Sequence, residues 1–367
     1  MKKIVLMLLP LLMGGSAYAQ CVIKAELKDV TGDTAFVQIV KPDFSGIEKT
    51  DTLKIKKGKF TIQNNDSKMR LAMCKVNTNE GEKRLSVYLV PGENATVTGT
   101  TEKNIWNGSQ FYKDYQALED VTNPIQEKMN DLGQSYHSQV EKGANADSLQ
   151  KIMDPIYNNL QKQLKQKMMD FITEHPNSGA GVTVLMGLEE AEKALGTMSS
   201  VVADGRYSYF IDFVKASIER KKIHEEALKK VADGKMAPDF TLKDINGNDL
   251  TLSSLRGKYL ILDFWGSWCV WCIKGFPELK KYYEKYSDRL EILGVDCSDT
   301  EEKWKAAVAK NDLKWKHVYN PRESKIEAMY AISGYPTKIL IDPEGKIIKT
   351  VVGENPAFYE FLDELFK

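Results

Sequence analysis

An apolar run of strand length, Tyr259-Leu260-Ile261-Leu262-Asp263-Phe264, is followed almost at once by two cysteines three positions apart, Cys269 and Cys272. A run of this kind, bounded by polar segments, reads as a strand buried on both faces, which needs helices on each side of a sheet. Cysteines at this spacing bridge without straining the backbone when they open a helix. A helix is expected from them to about Tyr286. A strand at 290–295, a helix at 300–309, strands at 338–341 and 347–351, and a last helix from Pro356 complete the order. Strands alternating with helices predict an α/β sheet, with an antiparallel hairpin turning at Pro343-Glu344-Gly345. Upstream, Asn246-Gly247 is a second hairpin signal, and 232–235 reads as the joint into this domain.

The rest of the chain changes period twice. In residues 20–105, Leu53 and Ile55, then Phe60 and Ile62 after the Lys57-Gly58 turn, then Leu85, Val87 and Leu89 alternate with polar neighbours. That is the signature of antiparallel strands with one buried face, and it predicts a small β-sandwich. Residues 106–232 read as a helical region. Leu149, Ile152, Ile156, Leu160, Leu164, Met168 and Phe171 fall on one helical face, a stripe that reads as core. Asp147 or Ser148 is the expected N-cap, and His175-Pro176 the end. Further helices are expected at 182–195 and 207–231, and the polar stretch 134–146 reads as a loop. The domain division expected is 1–19, 20–105, 106–232 and 233–367.

Residues 1–19 read as a cleaved signal peptide: Lys2 and Lys3, an apolar run from 4 to 13, then Ala17-Tyr18-Ala19. The apolar run is shorter than the ~20 residues a membrane span needs. A lipoprotein acylated at Cys21 is the other reading, and Gln20, where a small residue is normally required, disfavours it. Periplasm or cell envelope is the expected location. Outside the cytosol paired cysteines become structural bridges or redox centres. Cys74 and Cys297 sit in strand-like segments and read as buried small hydrophobes, though spacing leaves a Cys21–Cys74 bridge open. With 51 basic and 51 acidic residues the chain has no net formal charge, which argues against a general nucleic-acid binder. His137, His175, His224 and His317 lack ligand spacing, so neither metal nor cofactor is expected.

The segment Phe264-Trp265-Gly266-Ser267-Trp268-Cys269-Val270-Trp271-Cys272, with Pro277 after it and Gly334-Tyr335-Pro336-Thr337 downstream, resembles thioredoxin-fold proteins, most closely the exported TlpA/ResA branch. The resemblance covers about residues 236–367. It implies a thioredoxin-like fold and a thiol–disulfide oxidoreductase. Cys269, at the helix N-terminus where free N–H groups and the helix dipole favour a thiolate, is the expected nucleophile, and Cys272 the resolving thiol. Asp263, six residues before Cys269, stands where thioredoxins hold a buried acid, which makes it the candidate proton acceptor for Cys272. Pro336 matches the family's cis-proline, with Tyr335 offering its backbone to substrate. Trp268 and Trp271 are candidate substrate contacts, and Trp265 reads as packing or as a further contact. Pro277 is expected to kink the helix.

The sequence departs from this branch at Gly275, where ResA-like members commonly carry a glutamate, and at Val270-Trp271, where proline-containing pairs are commoner. Asp263 is expected to do the missing glutamate's proton transfer. No histidine lies between the cysteines, which disfavours a strong oxidant. Residues 20–232 resemble, in pattern and order only, an N-terminal extension of TlpA-like proteins from Bacteroidetes. The expected activity is reduction of disulfides in exported proteins, with a membrane electron donor re-reducing the cysteine pair. A dithiol oxidase or isomerase is the alternative. A peroxidase is disfavoured because Leu262 and Gly266 stand where its pocket needs Pro and Thr or Ser. A non-catalytic binding module is disfavoured by the intact cysteine pair.

Overall fold

The computed structural model describes residues 20–367, so the expected signal peptide lies outside the described residues. The chain divides into two compact units, with the boundary between Ile218 and Glu219.

The first unit opens with β1 (Cys21–Leu27), β2 (Thr34–Val40), β3 (Ile47–Lys54), β4 (Lys59–Asn64), β5 (Arg70–Thr78), β6 (Gly81–Leu89), β7 (Asn94–Gly99) and β8 (Asn104–Gly108). They make two four-stranded sheets, ordered β4-β1-β7-β8 and β3-β2-β5-β6. Alternate residues point inward, as a two-residue side-chain period requires. Ile23, Ala25 and Leu27 of β1 and Ala72, Cys74 and Val76 of β5 all enter one core. The bridge left open between Cys21 and Cys74 does not form: both are free and buried. The Cys21 sulfur lies 3.5 Å from the Tyr112 hydroxyl instead. Burial alone pushes the Cys74 thiol up to about 12, so it is chemically quiet.

Among the described residues five helices follow: α1 (Gln110–Glu141), α2 (Ala146–Glu174), α3 (Ala191–Thr197), α4 (Ser199–Ala203) and α5 (Ser208–Lys230), the last of which runs on past the boundary at Ile218. Phe111, Tyr112, Leu118, Ile172 and Phe210 share the apolar core of the two sheets. Several expectations are corrected here. The polar stretch after Gln134 is not a loop: α1 runs on to Glu141, and pairs one turn apart such as Gln139 to Ser135, 3.0 Å, suit an exposed helix surface. The α2 stripe is buried only at its inner end, at Leu160 and Phe171, while Ile152 is 64% exposed. Asn145, rather than Asp147 or Ser148, caps α2 by accepting the Ser148 N–H at 2.9 Å. The helix expected at 182–195 is split into a 3-10 stretch, Gly179–Gly187, and α3.

The second unit adds β9 (Thr241–Asp244), β10 (Asp249–Thr251), β11 (Tyr259–Trp265), α6 (Val270–Lys285), β12 (Leu290–Cys297), α7 (Glu301–Lys310), β13 (Lys316–Asn320), α8 (Ile326–Met329), β14 (Thr337–Ile341), β15 (Ile347–Val352) and α9 (Pro356–Leu365). The seven strands form one sheet, ordered β10-β9-β13-β12-β11-β14-β15. β11 lies inside it, parallel to β12 and antiparallel to β14. Both faces of β11 are covered, which is why its sequence is a continuous apolar run. Leu260, Leu262 and Phe264 pack with Phe240 and Tyr330 on one face. Ile261 and Trp265 pack on the other with Phe276 and Leu279 of α6, Trp304 of α7 and Leu362 of α9. Asp263, between Ile261 and Trp265, points to this second face. The unit is thioredoxin-like.

Candidate active site

β11 carries the chain out of the sheet and into the N-terminus of α6, and the turn between them is held by specific contacts. Asp299 accepts the Ser267 N–H at 2.6 Å and the Ser267 hydroxyl at 2.7 Å. The Trp268 indole N–H donates to the Cys297 carbonyl at 3.0 Å. Gly266 must be glycine, because a Cβ there would lie 2.5 Å from the Trp268 indole nitrogen and 2.9 Å from the Cys297 carbonyl. Beside Asp299, burial and the neighbouring carboxylate push Asp296 up to about 9, so it carries a proton at neutral pH.

Cys269 is the N-cap of α6 and is bonded to Cys272, with 5.3 Å between their Cα atoms. The Cys272 N–H points at the Cys269 sulfur, 3.1 Å away. This is one of the free donors that open any helix, and a donor so placed favours a thiolate on that sulfur when the bridge is reduced. Both cysteines are buried, but their surroundings are open and apolar. Trp268 is 50% exposed and Val270 and Trp271 are each 61% exposed. The Lys274 ammonium stacks on the Trp271 ring, 4.4 Å from its centroid. Tyr335 meets Trp268 edge-to-face at 5.2 Å, and the Tyr335–Pro336 bond is cis. Tyr335 also packs against the apolar cluster that contains both cysteines. Trp265, open between packing and contact in the sequence, is fully buried, with its ring 5.2 Å from Phe276.

Asp263 lies behind this rim, 1% exposed, and its enclosed Oδ1 has no hydrogen-bond partner among the described residues. Burial, opposed by the Lys338 ammonium, pushes its carboxyl up to about 6. Two neighbours escaped the sequence reading. Lys338 is a buried cation on β14, directly opposite Asp263 in the strand register, and it donates to Glu354 at 2.6 Å. A lysine inside an apolar strand was a visible signal. Glu354, in the loop before α9, gave none. Among the described residues no group of three or more His, Cys, Asp or Glu could hold a metal ion.

A thioredoxin-like sheet with a bridged cysteine pair at the mouth of its central helix defines the class: a thiol–disulfide exchange domain. The model of the AhpC/TSA family matches residues 234–350. The thiol-disulfide oxidoreductase ResA of Bacillus cereus is 37% identical over 128 residues, covering 35% of this chain and 73% of the relative. ResA of Bacillus subtilis is 34% identical over 126 residues, covering 34% of this chain and 70% of its own length. Among solved structures, the thioredoxin domain of a thiol-disulfide oxidoreductase from Bacteroides vulgatus is 34% identical, covering 37% of this chain and 99% of that one, with a TM-score of 0.35. The chain belongs to the ResA family of thiol-disulfide oxidoreductases.

Proposed function

We propose that the protein is an exported reductant of protein disulfides. The observation that carries this reading is the Cys269–Cys272 pair at the start of α6, with a buried acid on the same face of the sheet. In the reduced protein the Cys269 thiolate attacks one sulfur of a substrate disulfide, forming a mixed disulfide and releasing one substrate thiolate, which takes a proton from water. Cys272 then gives its proton to the Asp263 carboxylate and attacks the Cys269 sulfur. The second substrate thiolate leaves, and the bridge seen in the structure is the product. Two electrons have passed to the substrate. A dithiol donor at the membrane returns them and restores both thiols.

The apolar rim of Trp268, Val270 and Trp271 supports a polypeptide substrate rather than a small polar disulfide, because an extended chain buries such side chains. Tyr335, ahead of the cis Pro336, borders the same rim and is read as a backbone contact for that chain. Export rests on the reading of residues 1–19. Among the described residues, no helix is long and apolar enough to cross a membrane.

The test is the rate at which the purified chain, lacking residues 1–19 and supplied with dithiothreitol, reduces a disulfide-linked peptide. Acceleration well above the dithiothreitol background is expected, and none would end the reading. Trp271→Ala, which removes a side chain whose contacts are mostly with solvent, is expected to raise KM about fivefold, the loss of ~1 kcal/mol of apolar contact, with kcat unchanged. An unchanged KM would take Trp271 out of the substrate site.

A further inference from the structure

Lys338, which is buried, and Glu354, which is partly exposed, form an ion pair on the face of the sheet that carries the cysteines. Leu340, two residues along β14 from Lys338, packs in the same cluster as Cys269 and Cys272, so Lys338 points to that face. Its ammonium donates to Glu354 Oε2 at 2.6 Å, and the Tyr359 hydroxyl of α9 donates to Glu354 Oε1 at 2.7 Å. The third wall is α6. A Cβ on Gly275 would lie 2.3 Å from Glu354 Oε2 and 3.0 Å from Oε1, so the carboxylate occupies the space that any other residue at 275 would fill. Gly275 comes three residues after Cys272 and lies on the same face of that helix. Glu354 is therefore clamped from three elements, and the charge of Lys338 is directed to it while Asp263 Oδ1 goes unpartnered.

We infer that Lys338 and Glu354 are positioning residues for the resolving step: their pairing over Gly275 keeps the ammonium from being spent on Asp263, which thereby retains the proton affinity needed to accept the Cys272 proton. This rests on the reading of Asp263 as that acceptor. The groups that face Asp263 are few. Lys338 comes from β14, Glu354 from the loop before α9, and Tyr359 from α9. Glu278 of α6 faces Tyr359. On the β12 side the residue in register is Gly294, and behind it His317 is held neutral, its value lowered by burial to about 3. The pair thus dominates the local field, and its two members act with opposite sign: the cation favours the carboxylate and the anion favours the acid.

The reduced full-length mature chain is mixed with dithiobis(nitrobenzoate) in a stopped-flow instrument across pH. The first burst of coloured thiolate reports attack by Cys269, and the second reports attack by Cys272 on the mixed disulfide. Glu354→Gln is expected to move the acid limb of the second burst to lower pH by about one unit, and Lys338→Met to move it to higher pH by a similar amount. The double variant, which removes both charges and leaves no buried ion unpaired, is expected to return the limb to its original position; it carries the test if either single variant fails to fold. In all three the first burst keeps its pH dependence. Shifts of the same sign, no shift, or a displaced limb in the double variant would overturn the inference. Loss of the first burst in the unmodified chain would instead overturn the proposed function.

Discussion

Cys272→Ser is expected to stop the reaction halfway. Cys269 still attacks, but nothing resolves the mixed disulfide, so the protein accumulates bonded to its substrates. Intact-mass measurement should show adducts that dithiothreitol removes. Turnover should fall by at least roughly a thousandfold, the scale on which covalent catalysis fails when a member of its machinery is lost. Cys269→Ser should lose turnover to the same extent with no adduct. Retained turnover in Cys269→Ser would mean that another thiol does the work, and the structure makes that a demanding alternative. Cys21, Cys74 and Cys297 are all buried and unbridged. The Cys297 thiol is raised far above its ordinary value by burial and by Glu327 next to it.

Asp263→Asn is expected to lower activity and raise stability together. An asparagine cannot take the Cys272 proton, so the resolving step should slow by roughly a hundredfold near neutral pH, the lower end of what a positioned general base supplies. The acid limb near pH 6, set by the raised carboxyl, should vanish from its rate profile. Stability moves the other way. The native carboxyl holds its proton more tightly than the unfolded one, so its contribution to stability is complete below about pH 4 and is lost as pH rises through about 6. Asparagine carries no such loss. At pH 7 the variant should gain roughly 3 kcal/mol in denaturant unfolding, because the folded carboxyl titrates about two pH units above the unfolded one and each is worth about 1.4 kcal/mol. The gain should close below about pH 4. A variant that is both less active and less stable would mark Asp263 as structural.

What could be read from the sequence follows the range of the forces involved. The strand entering Cys269, the alternation at Phe60 and Ile62 and at Leu85, Val87 and Leu89, and the glycine turns at Gly58, Gly247 and Gly345 are local patterns, and each φ at those glycines is positive. The bridge is equally local, since both cysteines lie within one helical turn. Periodicity says which face of a helix is apolar but not how much of it another element covers, so the exposed outer end of α2 at Ile152 was not legible. Nor was the length of α1, whose last turns keep only a sparse apolar stripe, Leu132, Tyr136 and Val140, among polar residues that read as a loop. The remainder depends on partners far apart in the chain. Asp299 reaches back to Ser267, Lys338 faces Asp263 only because β14 and β11 pair in one register, and Glu354 reaches Gly275 across the fold. No local pattern announces such meetings. A glycine inside a helix, as at 275, is a signal only after the structure shows what fills the space.

The reduction potential of the Cys269–Cys272 couple, measured in the mature protein by equilibration against defined thiol buffers, tests the central claim most directly. A reversible couple near the value of thioredoxin, about −270 mV, is the predicted result, since such a pair passes electrons to most protein disulfides. A value near that of the strong oxidant DsbA, about −120 mV, would contradict it and make the protein a donor of disulfides rather than a reductant.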